Sequence, residues 1–219
     1  MRRHDLLTLK SNAMVQSVTC CTTDKAELYV KQWISEGRAF VCPRQSHRSN
    51  TIQLGLAFVD KDGAKHRAFV QARYQEILRG DSPHQLVSCL DLFGQENAAI
   101  LCELAKKLNG AGFPVYVFGS VAWEKISGMP YRTDKSDLDL LCDVATIQDV
   151  RFVTNAFAAA DRALPFRIDG ELRFPNDECV NWREVVAALG NHDEIEVLIK
   201  GETGVYMDSL DSLLEASYA

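Results

Sequence analysis

The sequence predicts an α+β fold (α/β mixed): a small N-terminal α+β domain, then a domain in which a mixed sheet is flanked by helices. Three observations carry this. In the first half, apolar residues alternate on either side of Asp60-Lys61-Asp62-Gly63, the mark of a hairpin. In the second half, short apolar runs take turns with stripes of helical period. Between them, Gly80, Asp81 and Pro83 make the clearest composition break in the chain, and the boundary is placed between residues 1–84 and 85–219.

The elements follow in order. Thr23 or Asp24 caps a helix over about 23–37, with Leu28, Val30, Trp33 and Ile34 near helical spacing and Gly37 as its stop. Residues 39–42 read as a short strand ended by Pro43, and 44–50 as a polar, basic loop. Residues 51–59, with Ile52, Leu54, Leu56 and Phe58 alternating, and 65–70 are the arms of the hairpin. Asp5 before Leu6-Leu7 suits a helix cap, with a site role for His4-Asp5 as the other reading. A helix spans 91–109, its apolar stripe formed by Ala98, Leu101, Leu104, Ala105 and Leu108. Strand 114–118 runs into a Gly-Ser turn, a short helix over 121–126 and a loop, then strand 137–142. Thr146 caps a helix over 146–160 whose stripe is Val150, Val153, Phe157 and Ala160. A strand over 164–174, a helix over 182–189 ended by Gly190, strands at 194–199 and 204–207, and a helix over 208–217 complete the chain.

Composition narrows the function classes. At 219 residues, 47% hydrophobic and 25% charged, the chain has the make-up of an ordinary globular protein. Its net charge of −6 and pI near 5.4 provide no basic field for a nucleic-acid polymer or an anionic membrane. Seven cysteines without CxxC spacing read as reduced, buried thiols rather than a zinc site or disulfide framework. The start lacks the apolar core of a secretory signal, and no run approaches transmembrane length, so a cytoplasmic protein is expected.

The chemistry gathers in the second half. The apolar run Val115-Tyr116-Val117-Phe118 feeds Gly119-Ser120, which, opening a helix, offers backbone N–H groups and a hydroxyl to phosphate oxygens. After the loop, Asp137-Leu138-Asp139 places two carboxylates at i and i+2, on one face of a strand. Such a pair repels unless a positive charge sits between, and hard divalent cations favour these ligands. The later strand alternates as well: Arg167, Asp169 and Glu171 share a face and Ile168 turns to the core. If it neighbours the first strand, Asp169 is a third carboxylate. Three carboxylates on two adjacent strands can hold two Mg²⁺ ions, one activating an attacking oxygen and one bridging phosphates.

Gly119-Ser120, Asp137-Leu138-Asp139 and Arg167-Ile168-Asp169 resemble the signature of the DNA polymerase beta-like nucleotidyltransferase superfamily. Its members place a Gly-Ser turn before a helix, two carboxylates on the next strand and a third on a later one. The gap from Gly119 to Asp137 is longer than in most members, which implies an inserted loop over 127–135 available for substrate recognition. A narrower resemblance covers nearly the whole chain. Residues 3–7, Val117 to Trp123, Thr133 to Leu140, Asp169 to Leu172, Trp182-Arg183-Glu184 and Val197 to Lys200 are similar to the malonate decarboxylase holo-acyl-carrier-protein synthases, which are phosphoribosyl-dephospho-CoA transferases. Arg3 stands where that family often has Pro.

The resemblance implies a substrate, 2′-(5″-triphosphoribosyl)-3′-dephospho-CoA, and a protein acceptor, the apo acyl-carrier subunit of malonate decarboxylase. A carrier serine attacks the phosphate nearest the ribose and pyrophosphate leaves. Asp137, Asp139 and Asp169 would bind Mg²⁺ (or Mn²⁺), with Asp169 also taking or orienting the serine proton. Gly119, Ser120, Arg167 and Lys200 would bind substrate, and residues 1–84 would form a recognition domain. Several residues carry two readings: Glu171 as support for the site or a surface ion pair, Lys200 as a phosphate ligand or a solvated terminus. Trp123 and Tyr131 stack on adenine or pack in the core. Arg44, His47 and Arg48 grip phosphates or an acidic carrier, or are merely solvated. The rivals are another nucleotidyltransferase using ATP and an inactive nucleotidyltransferase-like binding module.

Overall fold

The structure, a computed structural model, describes residues 1–20, 22–45, 50–190, 195–202 and 204–216. It has the α+β architecture expected, in two compact units: Met1–Pro83 with Ala122–Tyr131, and His84–Val121 with Arg132–Ala219. His47 and Arg48 of the basic loop lie outside the described residues.

The first unit comprises β1 (Leu6–Leu9), β2 (Val15–Thr19), α1 (Ala26–Ser35), β3 (Phe40–Val41), β4 (Thr51–Val59), β5 (Lys65–Arg73) and β6 (Ile77–Asp81). Its six strands pair antiparallel in the order β2-β5-β4-β3-β1-β6. The hairpin of β4 and β5 forms as its alternation requires, with His66, Ala68, Val70 and Ala72 turned inward. Helix α1 covers that face with Ala26, Val30, Trp33 and Ile34, the spacing of a helical stripe. Leu28, expected in the stripe, is 66% exposed; the helix begins at Ala26 and its phase follows that residue.

One expectation fails here. Asp5 caps no helix, because Leu6–Leu9 is a strand buried at all four positions. It pairs with β3 on one side and β6 on the other. The Asp5 carboxylate instead accepts from the Arg2 backbone N–H at 2.6 Å. Gly80 and Asp81 of the composition break end β6, where Gly80 lies opposite Leu7, and the first long segment of this unit ends just after them at Pro83. At Leu6–Leu9 pairing with distant residues overrides local preference. Trp123 and Tyr131 both pack within this unit: Trp123 meets Trp33 edge to face at 6.4 Å, and Tyr131, 6% exposed, carries Lys65 Nζ 4.9 Å from its ring centre.

The second unit contains β7 (His84–Gln85), α2 (Gln95–Gly110), β8 (Val115–Val117), the first turn of α3 (Gly119–Ser127), β9 (Leu138–Asp143), α4 (Ile147–Ala163), β10 (Ile168–Arg173), β11 (Cys179–Asn181), α5 (Trp182–Gly190), β12 (Glu196–Lys200), β13 (Val205–Ser209) and α6 (Leu210–Ala216). The strands form one mixed sheet, β13-β12-β11-β10-β9-β8-β7. Among the described residues only β9 and β10 run parallel, joined across α4. Helix α2 starts at Gln95 rather than 91, because a 3₁₀ segment, Leu86–Leu92, precedes it.

Alternation divides this sheet into two faces. Leu138, Leu140 and Cys142 of β9, with Ile168 and Leu172 of β10, form the buried face with Val153, Phe157 and Trp182 from the helices. Gly170 belongs to that face, and a Cβ there would lie 3.0 Å from Trp182 and 3.1 Å from Phe157. The other face carries the polar side chains: Asp139 and Asp143 on β9, Asp169, Glu171 and Arg173 on β10. None of the six described cysteines is in a disulfide. Among the described residues, no helix is long and apolar enough to cross a membrane.

Thr146 begins α4 with a complete capping box: its hydroxyl accepts from the Asp149 N–H at 3.1 Å and the Asp149 carboxylate accepts from the Thr146 N–H at 2.8 Å. Thr146→Ala is expected to cost about 1 kcal/mol in urea unfolding. A loss below a few tenths would show that the cap does not hold the β9–α4–β10 connection.

Candidate active site

Parallel pairing sets the geometry of the polar face. The register aligns Ile168 with Leu138 and Asp169 with Asp139. The two carboxylates therefore project from neighbouring strands on the same side, at a strand spacing of about 4.8 Å. Asp137 lies one residue before β9, and the Leu138 N–H donates to the Arg167 carbonyl at 2.9 Å, which continues the ladder to its doorstep.

The Gly-Ser turn closes on this pair. Gly119 has φ +64° and opens α3; a Cβ at that position would fall inside the Asp139 carboxylate. The backbone thus permits only glycine, first by conformation and then by contact. The Phe118 N–H donates to the Asp139 carbonyl at 3.1 Å, and the Ser120 N–H donates to the Asp139 carboxylate. The helix-opening amide read as a phosphate donor is thus aimed at Asp139. The Ser120 hydroxyl is buried and, among the described residues, has no hydrogen-bond partner.

Burial and crowding act together on Asp139. Desolvation raises its pKa most, followed by the charge of Asp169; Asp137 and Glu171 add to the rise, and the Ser120 N–H opposes it. The result is a carboxyl group pushed up to about 7. Among the described residues, Asp137, Asp139 and Asp169 have no ion-pair partner, whereas the other acids of this face do. Glu171, 3% exposed, meets Lys200 Nζ at 2.7 Å, and Asp143 meets the buried Arg173 in a two-pronged contact at 2.5 and 3.0 Å. Lys200 is thus paired with Glu171. Arg167 is exposed just before β10.

The start of β10 is braced from α4 and α5. Asp161 accepts from the Ile168 N–H at 2.7 Å and from Arg183 Nη2 at 2.6 Å. The Ile168 carbonyl accepts from Trp182 Nε1 at 3.1 Å and from Arg183 at 3.2 Å. Asn181, absent from the sequence reading, donates from Nδ2 to Asp169 Oδ1 at 2.6 Å. The available signal was slight: an asparagine one residue before a helix.

Whether a divalent cation suits this place turns on its donors. Among the described residues no three His, Cys, Asp or Glu side chains converge closely enough to chelate an ion as they stand. The donor chemistry nevertheless fits: three carboxylates without ion-pair partners, one of them destabilised as an anion by the others, and a buried hydroxyl oxygen with no protein partner. A groove of about 520 Å³ between α2 and α4, lined by Ala156, Ala160 and Leu104, belongs to the helical side of the sheet and not to this face.

Comparison with known proteins covers both units. Family models described as the N-terminal and C-terminal domains of phosphoribosyl-dephospho-CoA transferase MdcG match residues 2–83 and 85–210. A phosphoribosyl-dephospho-CoA transferase of Xanthomonas axonopodis pv. citri is 31% identical over 197 residues, 89% of either chain. That of Xanthomonas euvesicatoria pv. vesicatoria is 30% identical over 184 residues, 83% of this chain and 84% of its own. One from Bradyrhizobium diazoefficiens is 44% identical over 70 residues, 32% of this chain and 30% of its own. No solved structure matches the chain.

The raised Asp139 has a consequence for stability. Between about pH 4, where an unfolded aspartate ionises, and about 7, where Asp139 ionises in the fold, the folded state holds the extra proton. Stability contributed here is present below that window and is lost as pH rises through it. In metal-free buffer, Asp139→Asn should therefore gain thermal stability over the parent as pH climbs from 4 to 8. A difference that stays constant over this range would contradict the assignment.

Proposed function

The chain belongs to the phosphoribosyl-dephospho-CoA transferase family, and from that premise we propose that it transfers the 2′-(5″-phosphoribosyl)-3′-dephospho-CoA group from its triphosphoribosyl precursor to a serine of an apo acyl-carrier protein, that of malonate decarboxylase, releasing pyrophosphate in the cytoplasm. The observation that carries this reading is the Asp139–Asp169 pair, set side by side by the parallel register with Asp137 one residue before the strand. Whole-chain likeness supports the substrate, and the acidic face supports chemistry at a polyphosphate.

In this reading the serine oxygen forms a bond to the phosphate nearest the ribose, the bond from that phosphorus to the bridging oxygen breaks, and pyrophosphate carries away the electron pair. The serine proton passes to Asp169, whose Oδ2 is left open while Oδ1 accepts from Asn181. Asp137, Asp139 and Asp169 would hold Mg²⁺ or Mn²⁺, in the two-ion manner of nucleotidyl transfer. Bound there, the metal supplies neutralisation of phosphate charge and in-line orientation of the reacting oxygens. The chain's part is positional: Gly119 admits the Asp139 carboxylate and the Ser120 N–H orients it. Arg167, exposed just before β10, would meet outlying phosphates. Lys200 serves the substrate only indirectly in the resting protein, by keeping buried Glu171 neutralised.

Mass spectrometry of the apo-carrier after incubation with enzyme, triphosphoribosyl-dephospho-CoA and Mg²⁺ tests the proposal. The expected gain is the mass of the whole prosthetic group, and it should vanish with Asp137→Ala or Asp139→Ala while both variants retain cooperative unfolding. An unmodified carrier, or modification that instead consumes ATP, would direct the assignment to another nucleotidyl transfer. Full activity in either aspartate variant would remove the metal site.

A further inference from the structure

Asn181 occupies a junction. It is the last residue of β11 and the one before α5, and in register it stands opposite Glu171, with Asp169 as its diagonal neighbour on the same face. Its two amide atoms face different tasks. Oδ1 accepts the Arg183 N–H at 2.9 Å, which caps the start of α5. Because only the oxygen can accept from that N–H, the amide is turned one way, and Nδ2 is left to donate to Asp169 Oδ1 at 2.6 Å. The same three residues, 181 to 183, also grip the Ile168 carbonyl through Trp182 and Arg183. Helix α5 and the Asp169 carboxylate are thus set by one side chain.

We propose that Asn181 is the positioning residue for Asp169: it occupies Oδ1, fixes the plane of the carboxylate and leaves Oδ2 as the oxygen presented to a divalent cation or to the attacking hydroxyl. The proposal rests on the role given to Asp169 in the proposed transfer. The choice of residue follows from charge. A lysine or arginine in this place would hold the carboxylate as firmly but cancel the negative charge that a cation requires. A neutral amide orients without neutralising. Aspartate or serine would cap α5 equally well, yet the first repels Asp169 and the second is too short to serve both partners.

The test compares Asn181→Ser, Asn181→Asp and Asp169→Asn in the full-length protein. Three quantities are read: the thermal unfolding midpoint, Mn²⁺ binding to the protein alone by electron paramagnetic resonance, and kcat and KM for carrier modification. Asn181→Ser should keep a cooperative midpoint and lose about 10- to 100-fold in Mn²⁺ affinity. Its kcat should fall by a similar factor with KM for the carrier unchanged, a split that a merely loosened fold would not produce. Asn181→Asp retains the capping acceptor and replaces the donor, so its kcat should fall at least as far; it decides the matter if the serine variant does not fold. Parental kcat in either folded variant, or parental Mn²⁺ affinity in Asn181→Ser, overturns the proposal. Asp169→Asn separates the two layers. If it abolishes transfer while Asn181→Ser is silent, Asp169 acts without its amide partner. If Asp169→Asn is itself silent, the proposed role of Asp169 fails and that of Asn181 falls with it.

Discussion

Everything at the candidate site depends on two carboxylates being held closer than they would choose. Asp139 and Asp169 lie side by side across a parallel seam of the second unit's sheet, and burial first, then the charge of Asp169, raises the proton affinity of Asp139. The surrounding contacts make sense as restraints on that arrangement. A glycine without a side chain lets the Asp139 carboxylate lie against the turn, a backbone N–H steadies it, and an asparagine steadies its partner. Asp161, Trp182 and Arg183 prevent the beginning of β10 from sliding away. Repulsion of this kind is stored locally and balanced by the apolar face beneath it, where Phe157 and Trp182 lock onto the glycine between the two acids of β10.

Much of this was readable in advance where local pattern decides. The β4–β5 hairpin, the α4 helix with its Thr146 cap and the strand after the Gly-Ser turn were all evident from spacing and turn chemistry, because each is specified by residues close in sequence. Spacing also brought Asp137, Asp139 and Asp169 forward as acids. It did not contain their juxtaposition: Asp169 lies thirty positions from its neighbour in the ladder, and only the pairing of β9 with β10 makes them adjacent.

The misses share a cause. Strand β1 is short and takes its identity from partners far along the chain, so Leu6-Leu7 read as the start of a helix. Leu28 was assigned to a helical face by composition although the helix took its phase from Ala26. The pairing of Lys200 with Glu171 had no local signal because the two lie two strands apart. Asn181 gave almost no signal, since capping asparagines are common and nothing near it announces a second obligation.

The distribution of counter-charges along β9 and β10 gives the sheet a direction. Toward their carboxyl ends, Asp143 is matched by Arg173 and Glu171 by Lys200; at their amino ends Asp137, Asp139 and Asp169 stand unmatched. A bare polyanion approaching that end meets repulsion, whereas the same molecule dressed with divalent cations is drawn in. In the proposed transfer such an end would sort ligands by ionic form before their organic part is met, and the concentration of free divalent cation would enter the substrate specificity.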